Sequence, residues 1–199
     1  MILFPDKKYK IILCDPPWGY NDKGIRGGVK HHYSSMTPKQ IRELPVQEIA
    51  DDNCTLFLWV TYPMLPDCLT VFDSWGFKFK TIAFQWIKLN KTNGGFFTGL
   101  GHWTRSNSEC CLLGIKGKPK RISKSVHQLI VEPRGIHSAK PAIVRNKIVQ
   151  LMGDLPRIEL FAREVVDGWD CWGDQVPLTL IEQSKLKVYK TKVSTLFSE

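Results

Sequence analysis

The sequence has 199 residues, 43% of them hydrophobic, and 28 lysines and arginines against 19 acidic residues give a net charge of +9. That length suits one domain, and the apolar content suffices for a packed core, which excludes a disordered or fibrous chain. The cationic excess suits a polyanionic partner such as a nucleic acid.

Residues 1–10 lack the long apolar stretch of a secretion signal. Tyr9 to Cys14 is the first predicted strand, with Ile11, Ile12, Leu13 and Cys14 consecutive and apolar. It runs into Asp15-Pro16-Pro17-Trp18, where two prolines must end it. Asn21 to Lys30 is Gly-rich and basic and reads as a loop. Thr37-Pro38 has the form of an N-cap followed by proline at the first helical position, with an interruption expected at Pro45.

Cys54 to Thr61 is predicted as a buried strand, Met64 to Trp75 as a helix stopped by Gly76, and Phe77 to Leu89 as a third strand. Loop 90–107 holds Gly94, Gly95, Gly99 and Gly101. Glu109–Ile115 and Val126–Val131 are two further predicted strands, joined by a loop carrying Lys116, Lys118, Lys120, Arg121 and Lys124. A helix over Lys140–Met152, a strand over Arg157–Phe161 and a loop over Gly168–Val176 follow. Residues 1–176 form the expected domain and 177–199 a basic tail. This alternation predicts an α/β fold, with a mostly parallel sheet carrying an antiparallel edge. Ligands then belong at the carboxyl ends of the strands, where Asp15–Trp18, Thr61–Tyr62 and Ala162–Arg163 fall.

The apolar runs are too short to span a bilayer, so no membrane partner is expected. None of the six cysteines forms a C-x-x-C pair, and they read as small buried hydrophobes rather than metal ligands. The sequence carries no Walker A loop, G-x-G-x-x-G, H-E-x-x-H or zinc-deaminase signature.

Asp15-Pro16-Pro17-Trp18 carries a specific chemistry. An adenine N6 amine is a poor nucleophile because its lone pair is delocalised into the ring. Two acceptors, one for each N–H, can turn that lone pair toward a methyl donor. Asp15 can supply a carboxylate and Pro16 a rigidly placed carbonyl, since consecutive prolines fix φ and remove competing N–H groups. Trp18 offers a flat face for a base. Asp15 also stabilises the positive charge that develops on nitrogen.

The chain resembles the DPPW-type adenine-N6 methyltransferases, which include the catalytic subunit of the eukaryotic messenger-RNA adenine methyltransferase. The likeness is nearest to small phage and prophage DNA adenine methyltransferases. It runs over roughly residues 10 to 176. It includes Tyr33-Ser34-Ser35-Met36-Thr37, Leu56-Phe57-Leu58-Trp59-Val60-Thr61 and Gly101-His102-Trp103-Thr104-Arg105-Ser106-Asn107. Lys140-Pro141 and Glu159-Leu160-Phe161-Ala162-Arg163 complete it.

The resemblance implies a Rossmann-like fold with permuted motif order and S-adenosyl-L-methionine as cofactor. It implies catalytic roles for Asp15, Pro16, Pro17 and Trp18. The implied cofactor contacts are Cys14, Asp15, Ser138, Lys140, Glu159, Phe161, Arg163, Asp174 and Gln175. Lys140 would pair with the cofactor's carboxylate and Gln175 would reach its ribose; the family often has asparagine where this chain has Asp174. Read from the residues alone, Glu159 is equally well a partner of Arg157. A cation at Lys140 opposes the dipole of the helix it opens, which asks for another reason to be there.

Tyr20, Tyr33, Trp103, Arg105, Lys120 and Arg121 are the candidate substrate contacts, the last two as phosphate binders. The expected reaction is N6 methylation of adenine in DNA, with target readout from loops 21–35, 90–107 and 116–125. An RNA adenine methyltransferase and an inactive nucleic-acid-binding subunit are the alternatives. A homodimer or another subunit is compatible with the family. The expected location is the cytoplasm of a bacterial or phage-infected cell.

Overall fold

The first strand sets the frame. A computed structural model describes residues 4–19, 35–101, 103–135, 139–173 and 188–189. In it, β1 (Tyr9–Cys14) lies centrally, parallel to β2 (Ala50–Val60) on one side and to β6 (Arg157–Leu160) on the other. The sheet has eight strands in the order β5-β3-β4-β2-β1-β6-β7-β8. Here β3 is Lys78–Leu89, β4 Ser108–Lys116, β5 Leu129–Pro133, β7 Asp170–Trp172 and β8 Val188–Tyr189. The expected α/β class holds, and the sheet is mostly parallel.

Among the described residues only β4 runs against the others, paired to β2 and β3. The antiparallel pairing lies toward one side of the sheet, and the rim strand β5 is itself parallel to β3. Two strands lie where the sequence predicts loop or tail. The first, β7, is three residues long, too short for a period to show, and pairs with β6. The second, β8, pairs with β7, so part of segment 177–199 joins the sheet; the rest of that segment lies outside the described residues.

Alternation along β1 divides the core. Ile12 and Cys14 face one layer with α2 (Leu65–Ser74), while Ile11 and Leu13 face the other with α3 (Ile143–Met152). Short α1 (Pro38–Arg42) joins the first layer through Ile41. Thr37 closes a capping box with Gln40, as Thr-Pro foretells, and the helix stops before Pro45. Trp169 and Trp172 are buried core residues, although their segment reads as a loop. Asp170 between them is held by the Tyr9 hydroxyl and by Lys7, each at 2.7 Å. No helix among the described residues is long and apolar enough to cross a membrane.

Candidate active site

The end of β1 delivers Asp15 to a cleft of about 220 Å³ lined by Asp15, Pro16, Trp18, Val60, Thr61, Glu109, Lys140 and Arg163. Parallel pairing of β1 with β2 and β6 brings three carboxyl ends together there. Because β4 is reversed, its start lies at the same end, with Cys110 opposite Val60. That register carries Glu109 into the cleft.

Lys140 holds the middle. Its ammonium lies 2.8 and 2.9 Å from the two oxygens of Asp15 and 3.4 Å from Glu109 Oε2. Glu109 is also paired with Lys88 from the end of β3. Burial pushes the Glu109 carboxyl up, but the ammoniums of Lys140 and Lys88 outweigh it and hold the group below the usual carboxylate range. Burial pushes Lys140 down, yet Asp15 and Glu109 raise it above the ordinary lysine value. Glu109 and Lys140 therefore stay charged at neutral pH. Glu109 Oε2 is buried, and the Lys140 ammonium lies 3.4 Å from it, so the carboxylate is held between two lysines at the edge of the cleft.

The tetrad is a fixed turn. Trp18 N–H donates to the Pro16 carbonyl at 2.9 Å, and Met36 N–H donates to the Pro17 carbonyl at 2.8 Å. The absence of competing N–H groups expected around these prolines does not hold: the chain folds back on itself after Trp18. The Pro16 carbonyl keeps its second lone pair for a ligand. The Trp18 indole is 8% exposed and donates to the Trp59 carbonyl at 2.9 Å. It is thus a clamped wall of the cleft.

Of the candidate cofactor residues, Asp15, Lys140 and Arg163 meet in the cleft. Cys14 is wholly buried, and burial pushes its thiol well above the usual range, so its side chain is packing. Phe161 has φ +60°, a left-handed backbone that costs an aromatic residue energy and concentrates at functional turns. Its ring packs edge-on against Trp172 with centroids 5.3 Å apart.

Glu159 is paired with Arg145 of α3, at 2.6 and 3.2 Å, and not with Arg157, which bonds Asp154. Burial pushes the Glu159 carboxyl up, and Arg145 pulls it back only in part. Ser138, Asp174, Gln175, Tyr20 and Tyr33 lie outside the described residues.

Loop 90–107 joins β3 to β4 at the end of the sheet that holds the cleft, and its Trp103 is 98% exposed. Arg105 is exposed too; neither lines the cleft. Lys120 and Arg121 are at the other end of the sheet. They follow β4, whose last residues pair with the start of β2. The structure therefore does not join them to Asp15, because a nine-residue strand intervenes.

Sequence reasoning missed Glu109, Lys88 and Arg145. An acid opening an otherwise apolar strand at Glu109 was the available signal; Lys88 and Arg145 gain meaning only from strand register and helix packing.

Residues 9–175 match the MT-A70 family. The chain is 35% identical to the type II methyltransferase M.MunI of Mycoplasma sp., over 89% of this chain and 82% of that protein. It is 30% identical to the human N(6)-adenosine-methyltransferase catalytic subunit METTL3, over 85% of this chain but 28% of that protein. It is 29% identical to mouse N(6)-adenine-specific methyltransferase METTL4, over 85% of this chain and 38% of that protein. With most of its length matched and its Asp15–Trp18 turn set at the mouth of the cleft, the chain belongs to the MT-A70 family.

Proposed function

We propose that the protein methylates the N6 amine of adenine in DNA, with S-adenosyl-L-methionine as donor. One observation carries this reading: the Asp15 carboxyl group, the free lone pair of the Pro16 carbonyl and the Trp18 wall border one cleft. The family match and relatives named for N(6)-adenosine and N(6)-adenine methylation support the chemistry.

The residues present fit the donor. Lys140 and Arg163 give the cleft two cations for its carboxylate, and Glu109 lines the same cleft as an acidic group that suits its ammonium. When bound, S-adenosylmethionine supplies a methyl group on a positively charged sulfur. Asp15 accepts one N6–H and the Pro16 carbonyl the other, which fixes the amine plane. A carboxylate has about four lone-pair positions, so Asp15 can hold Lys140 and the amine together. Asp15 then faces the nitrogen as positive charge develops, in a site where water screens little. Lys140 anchors Asp15, Glu109 anchors Lys140, and the Trp18 wall excludes water from one side.

DNA is favoured over RNA because the bacterial relative is matched over 82% of its length, whereas the adenosine-specific relative is matched over 28%. The resemblance to small phage and prophage enzymes points the same way. An N6 amine inside a duplex is hidden by pairing, so the adenine must be flipped or single-stranded. Incubation with labelled donor and matched DNA and RNA oligonucleotides, followed by nucleoside mass spectrometry, tests the reading. N6-methyldeoxyadenosine as the main product supports it. Exclusive methylation of the RNA oligonucleotide overturns the choice of DNA, and methyl transfer to cytosine overturns the base.

A further inference from the structure

The loop between β4 and β5 is built to hold its cations in place. Gly117 has φ +64°, and a Cβ there would lie 2.0 Å from the Asp52 carbonyl, so only glycine makes this turn. Lys118 N–H donates to Asn53 Oδ1 at 2.8 Å. Ile122 N–H donates to the Leu151 carbonyl at 2.9 Å, tying the loop to the end of α3. Lys147 reaches the His127 carbonyl at 3.3 Å. Between these ties lie Lys118, Lys120, Arg121 and Lys124, all exposed.

Lys10, at the start of β1, lines one groove of about 330 Å³ with Lys118 and Lys120. Among the described residues none of these five cations has an ion-pair partner. Asp154, on the turn after α3, is committed to Arg157. Asp51 and Asp52, at the start of β2, pair with none of the five.

We infer that this surface is a second nucleic-acid backbone site, about 20 Å from Asp15 along the strands, which grips phosphodiesters outside the catalytic cleft. Unpaired cations on a tied-down loop repel one another and gain nothing from the fold, whereas a polyanion neutralises them and releases its own condensed counterions. Contacts of this kind are blind to sequence and set residence on the polymer. A short oligonucleotide in the cleft cannot span to this end, so the site engages only a longer strand that continues round the protein, or a second one. The inference rests on the proposed nucleic-acid substrate.

The test compares the 199-residue protein with a K118Q/K120Q/R121Q variant by fluorescence anisotropy across a salt series. One DNA is short enough only to fill the cleft, and the other is several-fold longer. On the long DNA the triple variant should bind at least about tenfold more weakly at low salt, with a salt slope lower by about two to three units, roughly 0.9 per lost contact. On the short DNA its affinity and its methyl-transfer rate should match the parent's. A K118R/K120R/R121K variant should restore the slope, which separates charge from fold. An unchanged slope on long DNA overturns the inference, and so does an equal loss on both lengths. Absence of methyl transfer to the short DNA by the parent protein counts against the proposed activity, while the slopes on the long DNA still decide this site.

Discussion

Lys140 is bound to both carboxylate oxygens of Asp15, at 2.8 and 2.9 Å, so the residue proposed to hold the target amine is itself held. The pair spans 125 positions of sequence and joins the turn after β1 to the segment that enters α3. This explains a cation where the helix dipole disfavours one. We expect Asp15→Ala to lower single-turnover methyl transfer by at least about 10²–10³-fold, as loss of one preorganised electrostatic group does. Donor affinity by calorimetry should stay within a few-fold, since Arg163 and Lys140 remain and Lys140 keeps Glu109. Activity close to that of the parent would remove Asp15 from the mechanism.

Arg145 carries more than its place on a surface helix suggests. It bonds Glu159 twice and Glu164 once, with its side chain 13% exposed. Arg145→Met should destabilise the fold by roughly 3–5 kcal/mol, because it strands a buried carboxylate. Burial already raises the Glu159 carboxyl, and losing Arg145 raises it further. A group raised in the folded state favours folding at low pH and loses that contribution as pH rises through its folded value. The defect should therefore be larger at pH 7 than at pH 5. Denaturant titrations at the two values check this, and a pH-independent defect would show that packing rather than charge is lost.

Glu109 works in the opposite sense. Its folded value is depressed by Lys140 and Lys88, below the unfolded value of about 4.3. Its contribution is thus present above that value and disappears as pH falls through the folded one. The parent protein should lose melting temperature in this acid window. Glu109→Gln should lower stability at neutral pH and flatten that acid limb, because the titrating group is gone. Melting curves from pH 7 down to about 3 measure both, and parallel curves for the two proteins would contradict the assignment.

Much of this was legible in the residues and some was not. The strand Tyr9–Cys14 and the Thr37-Pro38 cap are local, and both form where expected. Asp15–Trp18 declares its place because a buried strand can only end at two prolines. Glu109 becomes part of the site only through the reversal of β4, and reversal depends on which strand edges meet, not on local pattern. The same reversal carries Lys120 and Arg121 to the end of the sheet away from the cleft. Strand β7 has no local signature because Asp170 interrupts its apolar run, and only the distant Tyr9 and Lys7 make that acid tolerable in the core.

Trp18 allows two jobs to be separated. Its ring walls the cleft, and its N–H is anchored on the Trp59 carbonyl. Trp18→Phe keeps an aromatic wall but removes the anchor, leaving a buried carbonyl short of a donor. That should lower stability by about 1–3 kcal/mol while turnover on saturating substrate changes little. Trp18→Ala removes the wall as well. It should cost a further stacking contribution of about 1–3 kcal/mol, seen as a rise in KM for the oligonucleotide of roughly tenfold to a hundredfold. The size of the side chain, rather than its N–H, then governs substrate binding. If Trp18→Phe raised KM as much as Trp18→Ala, the wall would act through its anchored position and not through the face it offers to the base.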